Sequence, residues 1–352
     1  MSTTAVFADS VNTKERTVKK VAEGIYVIRH PEAPDDFPQG NTTVIIGERD
    51  VFVVDSCYLP SDARKDIAQI RQWTEKPVRY LLNTHWHNDH VQGNGVYWDA
   101  FPSIAIVAHT ETRKQIEGYI PVWASDRFPK RTATIRQMLD TGKDEQGNPL
   151  TEARKKDLSD TLAKREQVQA EFKNFVNRPP TLTFDQEMTI DLGNREVQIK
   201  FLGRGNTAGD AVVYLPKEKI LIAGDLLDHP VPYLGGGYPF DLAKTLQRMS
   251  QLDAQTIIPG HGEVLQGSYA ETYLNQVIEF ISTVTAQVRK EVYRLGNGSR
   301  NLEDVREAVH KAIDMAQWRQ KFAGDDKDNR DFFDTFSLPG LITAAYREAW
   351  GN

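Results

Sequence analysis

His85-Trp86-His87-Asn88-Asp89-His90 is the stretch on which the reading of this chain turns. Three of the chain's eight histidines fall here, with an aspartate between them. Side chains alternate along an extended backbone, so His85 and His87 point the same way. Asp89 and His90 are neighbours and point differently, towards a second centre. Neutral imidazole and carboxylate are preferred ligands of zinc and iron. The cluster therefore reads as a metal-binding loop rather than a chance group of surface histidines. Its flanks agree: Val78 to Leu82 is a short apolar strand running straight into it, and Gly93 and Gly95 follow.

Upstream, residues 17 to 55 carry strand-like apolar clusters at 24–28, 43–46 and 51–54, the last two separated by the polar turn Gly47-Glu48-Arg49-Asp50. Pro60 to Trp73 places Ile67, Ile70 and Trp73 at helical spacing. Downstream, Ile104 to Ala108 is a strand, and residues 110–178 form a charged, helix-rich insertion broken by Gly142 and Pro149. Within it, Thr151 to Asn174 reads as a solvated helical face, with a lid over the site as the alternative. Strands are expected again over Thr181–Ile190, Glu196–Leu202, Ala211–Leu215, Ile220–Ala223 and Thr256–Ile258, and helices over Asp241–Leu252 and Tyr269–Leu295. After Gly296-Asn297-Gly298 the chain turns helical once more, with the aromatics Phe332, Phe333, Phe336 and Trp350 near its end. Strands then helix, twice over, predict an α/β fold of two packed sheets with helices outside, a four-layer αββα sandwich. The expected division is a loose tail at 1–16, a metal-site domain at 17–265 containing the insertion, and a helical extension at 266–352.

Composition bounds the partners. Hydrophobic residues at 39% and charged residues at 26% are ordinary for a soluble globular chain. A net charge of −6 offers no surplus cation for a phosphate backbone, so a small molecule is expected as partner and nucleic acid is not. No apolar run approaches the ~20 residues of a membrane span. The single cysteine, Cys57, excludes an intramolecular disulfide and reads as a buried, inert thiol. With no leader-like apolar core in the first twenty residues, a cytoplasmic location is favoured; periplasmic or secreted placement stays open if a leader was removed. The terminal aromatics read as core first, with a homo-oligomer as the alternative.

The residues 84 to 90 resemble the HxHxDH motif of the metallo-β-lactamase superfamily, and four more matches follow the family's order. Val54-Asp55 looks like its early strand-ending aspartate. Residues 202 to 210, Leu-Gly-Arg-Gly-Asn-Thr-Ala-Gly-Asp, resemble its Gly-His-Thr-x-Gly segment. Ala223-Gly224-Asp225 resembles the segment with the metal-bridging aspartate, and Pro259-Gly260-His261-Gly262 the one with the last histidine. The resemblance implies one metal held by His85, His87 and the residue at 206, and a second by Asp89, His90 and His261, with Asp225 bridging. It implies Zn2+, one or two ions, with iron as the alternative. It also implies hydrolysis by a metal-bound hydroxide that Asp89 orients, on a small ester, lactone or amide, β-lactams included. The departure is Asn206, where the family usually has histidine. An amide oxygen is a weaker ligand than imidazole, which leaves open a weak first metal, a single metal in the second site, or a metal other than zinc. An iron-dependent sulfur or oxygen oxidoreductase and a catalytically impaired binding protein stay as rivals.

Around this centre, Asp55 and Asp210 are expected to orient ligands from behind, against the reading of capping or turn aspartates. The segment Tyr233-Leu234-Gly235-Gly236-Gly237-Tyr238 is expected to face substrate, with His229 and His109 as further candidates to line the pocket. His30 and His310 are expected to be ordinary surface residues.

Overall fold

A computed structural model describes residues 15–118, 127–295 and 301–350. Seven strands lie side by side in chain order in the first sheet: β1 (Thr17–Ala22), β2 (Ile25–Arg29), β3 (Thr42–Ile46), β4 (Val51–Val54), β5 (Val78–Leu82), β6 (Ala105–His109) and β7 (Leu182–Phe184). β1 to β4 are antiparallel neighbours, and β4 to β7 run parallel. The second sheet holds β8 (Glu187–Asp191), β9 (Glu196–Lys200), β10 (Val212–Leu215), β11 (Ile220–Gly224), β12 (Thr256–Pro259) and β13 (Leu265–Gln266), in reverse order across the sheet. Only β11 and β12 are parallel there.

The alternation of side chains decides the layers. Val27, Ile45, Phe52, Val54 and Leu82 of the first sheet meet Val197, Ile199, Val213, Ile222 and Ile258 of the second in one sealed core. The opposite face of the first sheet, with Ile28, Val44, Val53, Leu81 and Ile106, packs under α1 (Pro60–Trp73) and α3 (Asn94–Ala100). The outer face of the second sheet, with Val212, Leu221 and Ile257, packs against α7 (Pro239–Met249) and α8 (Ser268–Leu295). A strand such as β4 is covered on both faces and so reads as the unbroken apolar run Val-Phe-Val-Val. The order is helix, sheet, sheet, helix, the expected sandwich. Besides Ala63, Ile67 and Ile70, α1 buries two carboxylates, Asp62 and Asp66.

The insertion forms α4 (Thr110–Gly118), α5 (Arg127–Thr141) and α6 (Glu152–Glu171). Of the twenty residues of α6, Leu158 and Val168 are buried, so most of the helix is a solvated face. Phe128, Val168 and Phe172 close over Ala33, Tyr58 and Leu59. The extension adds α9 (Leu302–Ala312), α10 (Met315–Ala323) and α11 (Lys327–Phe332), which passes through a π-helical turn at Phe333–Ser337 into α12 (Leu338–Ala349). Phe333 is fully buried beside Phe280 and Phe322, whereas Phe336 is 55% exposed. No described helix is long and apolar enough to cross a membrane.

Three expectations need correction. The strand expected over Thr181–Ile190 is two: β7 pairs with β6 in the first sheet, and after Asp185-Gln186 the chain crosses to pair β8 with β9 in the second. Leu182, Phe184, Met188 and Ile190 keep one alternating register across Asp185-Gln186, so alternation alone carries no mark of a change of sheet. The motif is not extended throughout, because α2 (Asn88–Val91) begins inside it and puts Asp89 and His90 on one helical turn. Residues 1–14 of the expected tail and the turn at 296–298 lie outside the described residues. Arg16, placed in that tail, is anchored: its guanidinium grips Asp66 at 2.9 Å.

Candidate metal centre

Two of the parallel strand pairs, β4–β5 and β11–β12, deliver loops to one end of the sandwich: Asp55 follows β4, His85 follows β5, Asp225 follows β11 and His261 follows β12. Loops at the carboxyl ends of parallel strands are where open α/β sheets gather functional groups.

Asp55 organises the first of them. It sits at φ +60°, in the left-handed region, and accepts Thr84 N–H at 2.8 Å and Thr84 Oγ1–H at 2.8 Å. Its Oδ2 also receives His90 Nδ1 at 2.9 Å, and Thr84 Oγ1 receives His85 Nδ1 at 3.0 Å. With both Nδ1 atoms engaged, Nε2 is the atom through which His85 and His90 would each bind a metal. Gly224, at φ +54°, fits because a side chain there would strike Thr84. Asp55 therefore touches a ring that carries a candidate ligand atom.

Two donor groups result, sharing Asp225. Asp89, His90, Asp225 and His261 form one, and His85, His87 and Asp225 the other. In the first, His90 Nε2 lies 3.1 Å from Asp225 Oδ1 and 3.4 Å from Asp89 Oδ2, and His261 Nε2 lies 2.9 Å from Asp89 Oδ2. In the second, His85 Nε2 lies 3.3 Å from Asp225 Oδ2. Asn206 is at that group's edge, its amide nitrogen 3.3 Å from His87 Nδ1 and 3.4 Å from Asp225 Oδ2. The structure thus brings together all seven residues that the sequence nominated as ligands.

The electrostatics differ between the groups. Burial works against charge on Asp89 and Asp225, but the surrounding imidazoles outweigh it and hold both carboxyls well below their usual range. Burial likewise opposes charge on His261, yet Asp225 and Asp89 lift its imidazole to about 9. His87 goes the other way: burial and the neighbouring His85 lower it to about 4.

The outer candidates divide. Asp210 makes no hydrogen bond to a candidate ligand among those described; it accepts Thr207 N–H at 2.9 Å and Thr207 Oγ1–H at 2.8 Å, tying the loop that carries Asn206. It is a turn aspartate acting through backbone, and burial raises its carboxyl to about 6. Tyr233 and Tyr238 line a cavity of about 610 Å3 together with Trp86, His87, Asn206 and Arg347 of α12. His229 does not line it. Its Nε2 meets Tyr269 Oη at 3.0 Å, and burial lowers its imidazole to about 4. His109 stacks on Phe201 at 4.3 Å and borders a separate cavity, and His310 is exposed. Cys57 is fully buried, its thiol pushed up by burial.

Sequence reasoning missed five residues. Thr84 stands inside the motif, where nothing in the sequence marks its hydroxyl as the link between Asp55 and the His85 ring. His30, taken for a surface residue, is 3% exposed and paired with Asp66, because a partner 36 residues away makes a buried imidazole tolerable. Gly40 and Asn41 back the site from a loop with no motif. Asp228 is buried near Asp225, with Oδ1 lacking a hydrogen-bond partner and burial holding its carboxyl well above the usual range.

Comparison with known proteins agrees with this geometry. The family model for the metallo-beta-lactamase superfamily matches residues 35–261. A linear primary-alkylsulfatase of Pseudomonas sp. is 24% identical over 74% of this chain and 48% of its own length. A type 2 metallo-beta-lactamase of Elizabethkingia meningoseptica is 25% identical over 28% of this chain and 42% of its own. The chain thus spans about half the length of the curated relatives it matches. Among solved structures, the stereoselective inverting sec-alkylsulfatase Pisa1 from Pseudomonas sp. aligns over 95% of this chain and 50% of that one, with TM-score 0.62 and 16% identity. A metallo-beta-lactamase from Pontibacter korlensis aligns over 76% of this chain and 99% of that one, with TM-score 0.53 and 16% identity. With more than half of its length matched by the family model, the chain belongs to the metallo-beta-lactamase superfamily.

Proposed function

We propose that this protein is a metal-dependent hydrolase of a small-molecule ester, lactone or amide, the β-lactam amide among them. The observation that carries the reading is the pair of donor groups sharing Asp225, one of which opens through His87 into the cavity. Their chemistry fits a divalent metal. The donors are imidazole and carboxylate, and His85 Nε2 and Asp225 Oδ1 are buried with no hydrogen-bond partner of their own. Asp89, His90 and His261 would hold one ion, and His85 and His87 the other, with Asp225 shared; Asn206 would join the second only through its amide oxygen, in place of the nitrogen that faces His87 and Asp225 without an ion. Zinc is the ion proposed, as one or two per chain. Such an ion supplies Lewis acidity and lowers the pKa of water to about 7. Asp89, kept ionised by His90 and His261, is the acceptor that orients the attacking water. Asp55 and Thr84 fix the rings of His90 and His85. Tyr233, Tyr238 and Arg347 frame the remainder of the substrate.

A second reading is hydrolysis of a sulfate monoester. The fold shared with Pisa1 takes in 95% of the chain, against 76% for the Pontibacter enzyme. Arg347, an exposed cation on the cavity wall, suits an anionic substrate. The test is a panel of p-nitrophenyl acetate, a γ-lactone, nitrocefin and dodecyl sulfate given to the zinc-loaded protein. Turnover of one class, abolished by chelation and restored by zinc, is expected. No turnover by this protein or by its N206H variant would overturn the reading in favour of a binding protein. Stoichiometric iron without zinc in the purified protein would overturn it in favour of redox chemistry.

A further inference from the structure

Behind the Asp89–His90–Asp225–His261 group runs the loop between β2 and β3, and two of its residues, Gly40 and Asn41, touch that group or its flanking backbone. Gly40 N–H donates to Asp89 O at 3.1 Å. The α-carbon of Gly40 lies so close to His90 that a Cβ would overlap the imidazole. Asn41 donates through Nδ2 to Pro259 O and to Gly262 O, 3.0 Å each, bracketing His261 on both sides, and its N–H donates to Gly260 O at 2.7 Å. Gln39 ties the same loop to α1, donating to Asp62 Oδ2 at 2.7 Å and accepting Leu59 N–H at 2.9 Å.

The loop is itself held by a buried ionic chain. His30 Nδ1 lies 2.8 Å from Gly40 O, which can only accept, so Nδ1 donates. His30 Nε2 lies 2.7 Å from Asp66 Oδ2, whose other oxygen is taken by Arg16 at 2.9 Å. Asp66 is therefore a carboxylate and Nε2 donates as well, which makes His30 an imidazolium. Burial opposes that charge, but Asp66 outweighs it and holds His30 above its ordinary range. His30, Cys57 and Asp66 have the spacing of a metal cluster. With both imidazole nitrogens and both carboxylate oxygens already engaged, no ligand set is left there.

We infer that the His30–Asp66 pair is a positioning device for the Asp89–His90–Asp225–His261 group, seating Gly40 against His90 and Asp89 so that the donor atoms are preorganised for a metal ion. This rests on the metal reading above. His30 touches no candidate ligand; it acts through the Gly40 carbonyl. Loss of a partner bonded directly to a ligand typically costs ~10–100-fold in metal affinity, and His30, one step further out, is expected at the lower end of that range.

The experiment titrates the metal-free full chain with Co2+, following both the calorimetric isotherm and the visible ligand-field spectrum, for the parent and for H30A, H30N and G40A. For H30A, the affinity of the tighter class of site is expected to fall at least tenfold, with a changed spectrum for that site and an unchanged weaker class. H30N retains an amide donor for Gly40 O and is expected to recover most of the loss. G40A, which drives a methyl into the His90 ring, is expected to match or exceed H30A even if H30A does not fold. If H30A and G40A bind Co2+ with parental affinity and spectrum while melting at a lower temperature, the pair is merely structural and the inference is overturned. If the parent itself binds no Co2+, the metal reading fails and takes this inference with it, an outcome distinct from the first.

Discussion

The two donor groups that meet at Asp225 share an aspartate but not a construction. Around Asp89, His90 and His261, each residue is held from behind: His90 by Asp55, Asp89 through its own carbonyl by Gly40, and His261 by Asn41 on either side. Around His85 and His87 the backing is thinner. Thr84 fixes His85, but the Nδ1 of His87 meets the Asn206 amide at 3.3 Å on the cavity wall, and the third donor proposed is that amide. A site whose ligands are fixed before binding loses less free energy to ordering them, and imidazole is a better donor than amide. The proposed centre is thus unequal: a tight, buried half and a weaker half that faces the cavity.

The change expected to do most removes what the halves have in common. D225A should abolish binding of a second metal equivalent, weaken the first, and lower turnover by more than the ~100-fold upper range for loss of an outer-shell partner. Calorimetric titration and initial rates check it, and a variant still binding two ions at parental affinity would break the comparison. Next comes D55A, which strips the partner from His90 Nδ1 and the support from Thr84. A loss of ~10–100-fold in the tighter affinity is expected, with the weaker one less affected. N206H works in the opposite direction. Exchanging amide for imidazole should tighten the weaker half, on the order of tenfold, and leave the tighter half alone. An unchanged weaker affinity would mean that Asn206 is not the limiting donor.

The smallest effect concerns the Asn206 loop in the metal-free protein. Asp210 titrates near 6 when folded, against an ordinary 3.8, because its burial disfavours the carboxylate. A raised folded pKa adds stability that is fully present below the unfolded value and is lost as pH rises through the folded one. Between pH 3.8 and about 6, the stability difference between the parent and D210N should therefore shift against the parent. Chemical denaturation at pH 4.5 and 7 reads it. A constant difference would show that Asp210 is ionised throughout.

The comparison also explains what the sequence made legible. Short-range patterns carried the layers: β4 as an apolar run, α1 with Ile67 and Ile70 on one face, and the motif at the end of β5. His85, His87, Asp89 and His90 were legible because their residue types are rare and tightly spaced; Asn206, Asp225 and His261, far along the chain, were reached only through the family resemblance. The supports were not. His30 needs Asp66 and Arg16, and Asn41 needs the carbonyls of Pro259 and Gly262, more than two hundred residues on. Such buried hydrogen bonds are set by tertiary contact and leave no local periodicity. Asp210 is the opposite case: its bond to Thr207 spans only three residues, the local turn that its sequence position also allowed. The crossing from β7 to β8 was hidden for a related reason, since two strands in different sheets can share one alternating pattern.

The inequality of the two halves is tested most directly by anomalous scattering at the zinc edge from crystals holding one zinc equivalent and an excess of zinc. The account predicts that one equivalent gives a single peak among Asp89, His90, Asp225 and His261, and that excess zinc adds a second beside His85 and His87. Equal peaks at one equivalent, or a first peak beside His85 and His87, would contradict it.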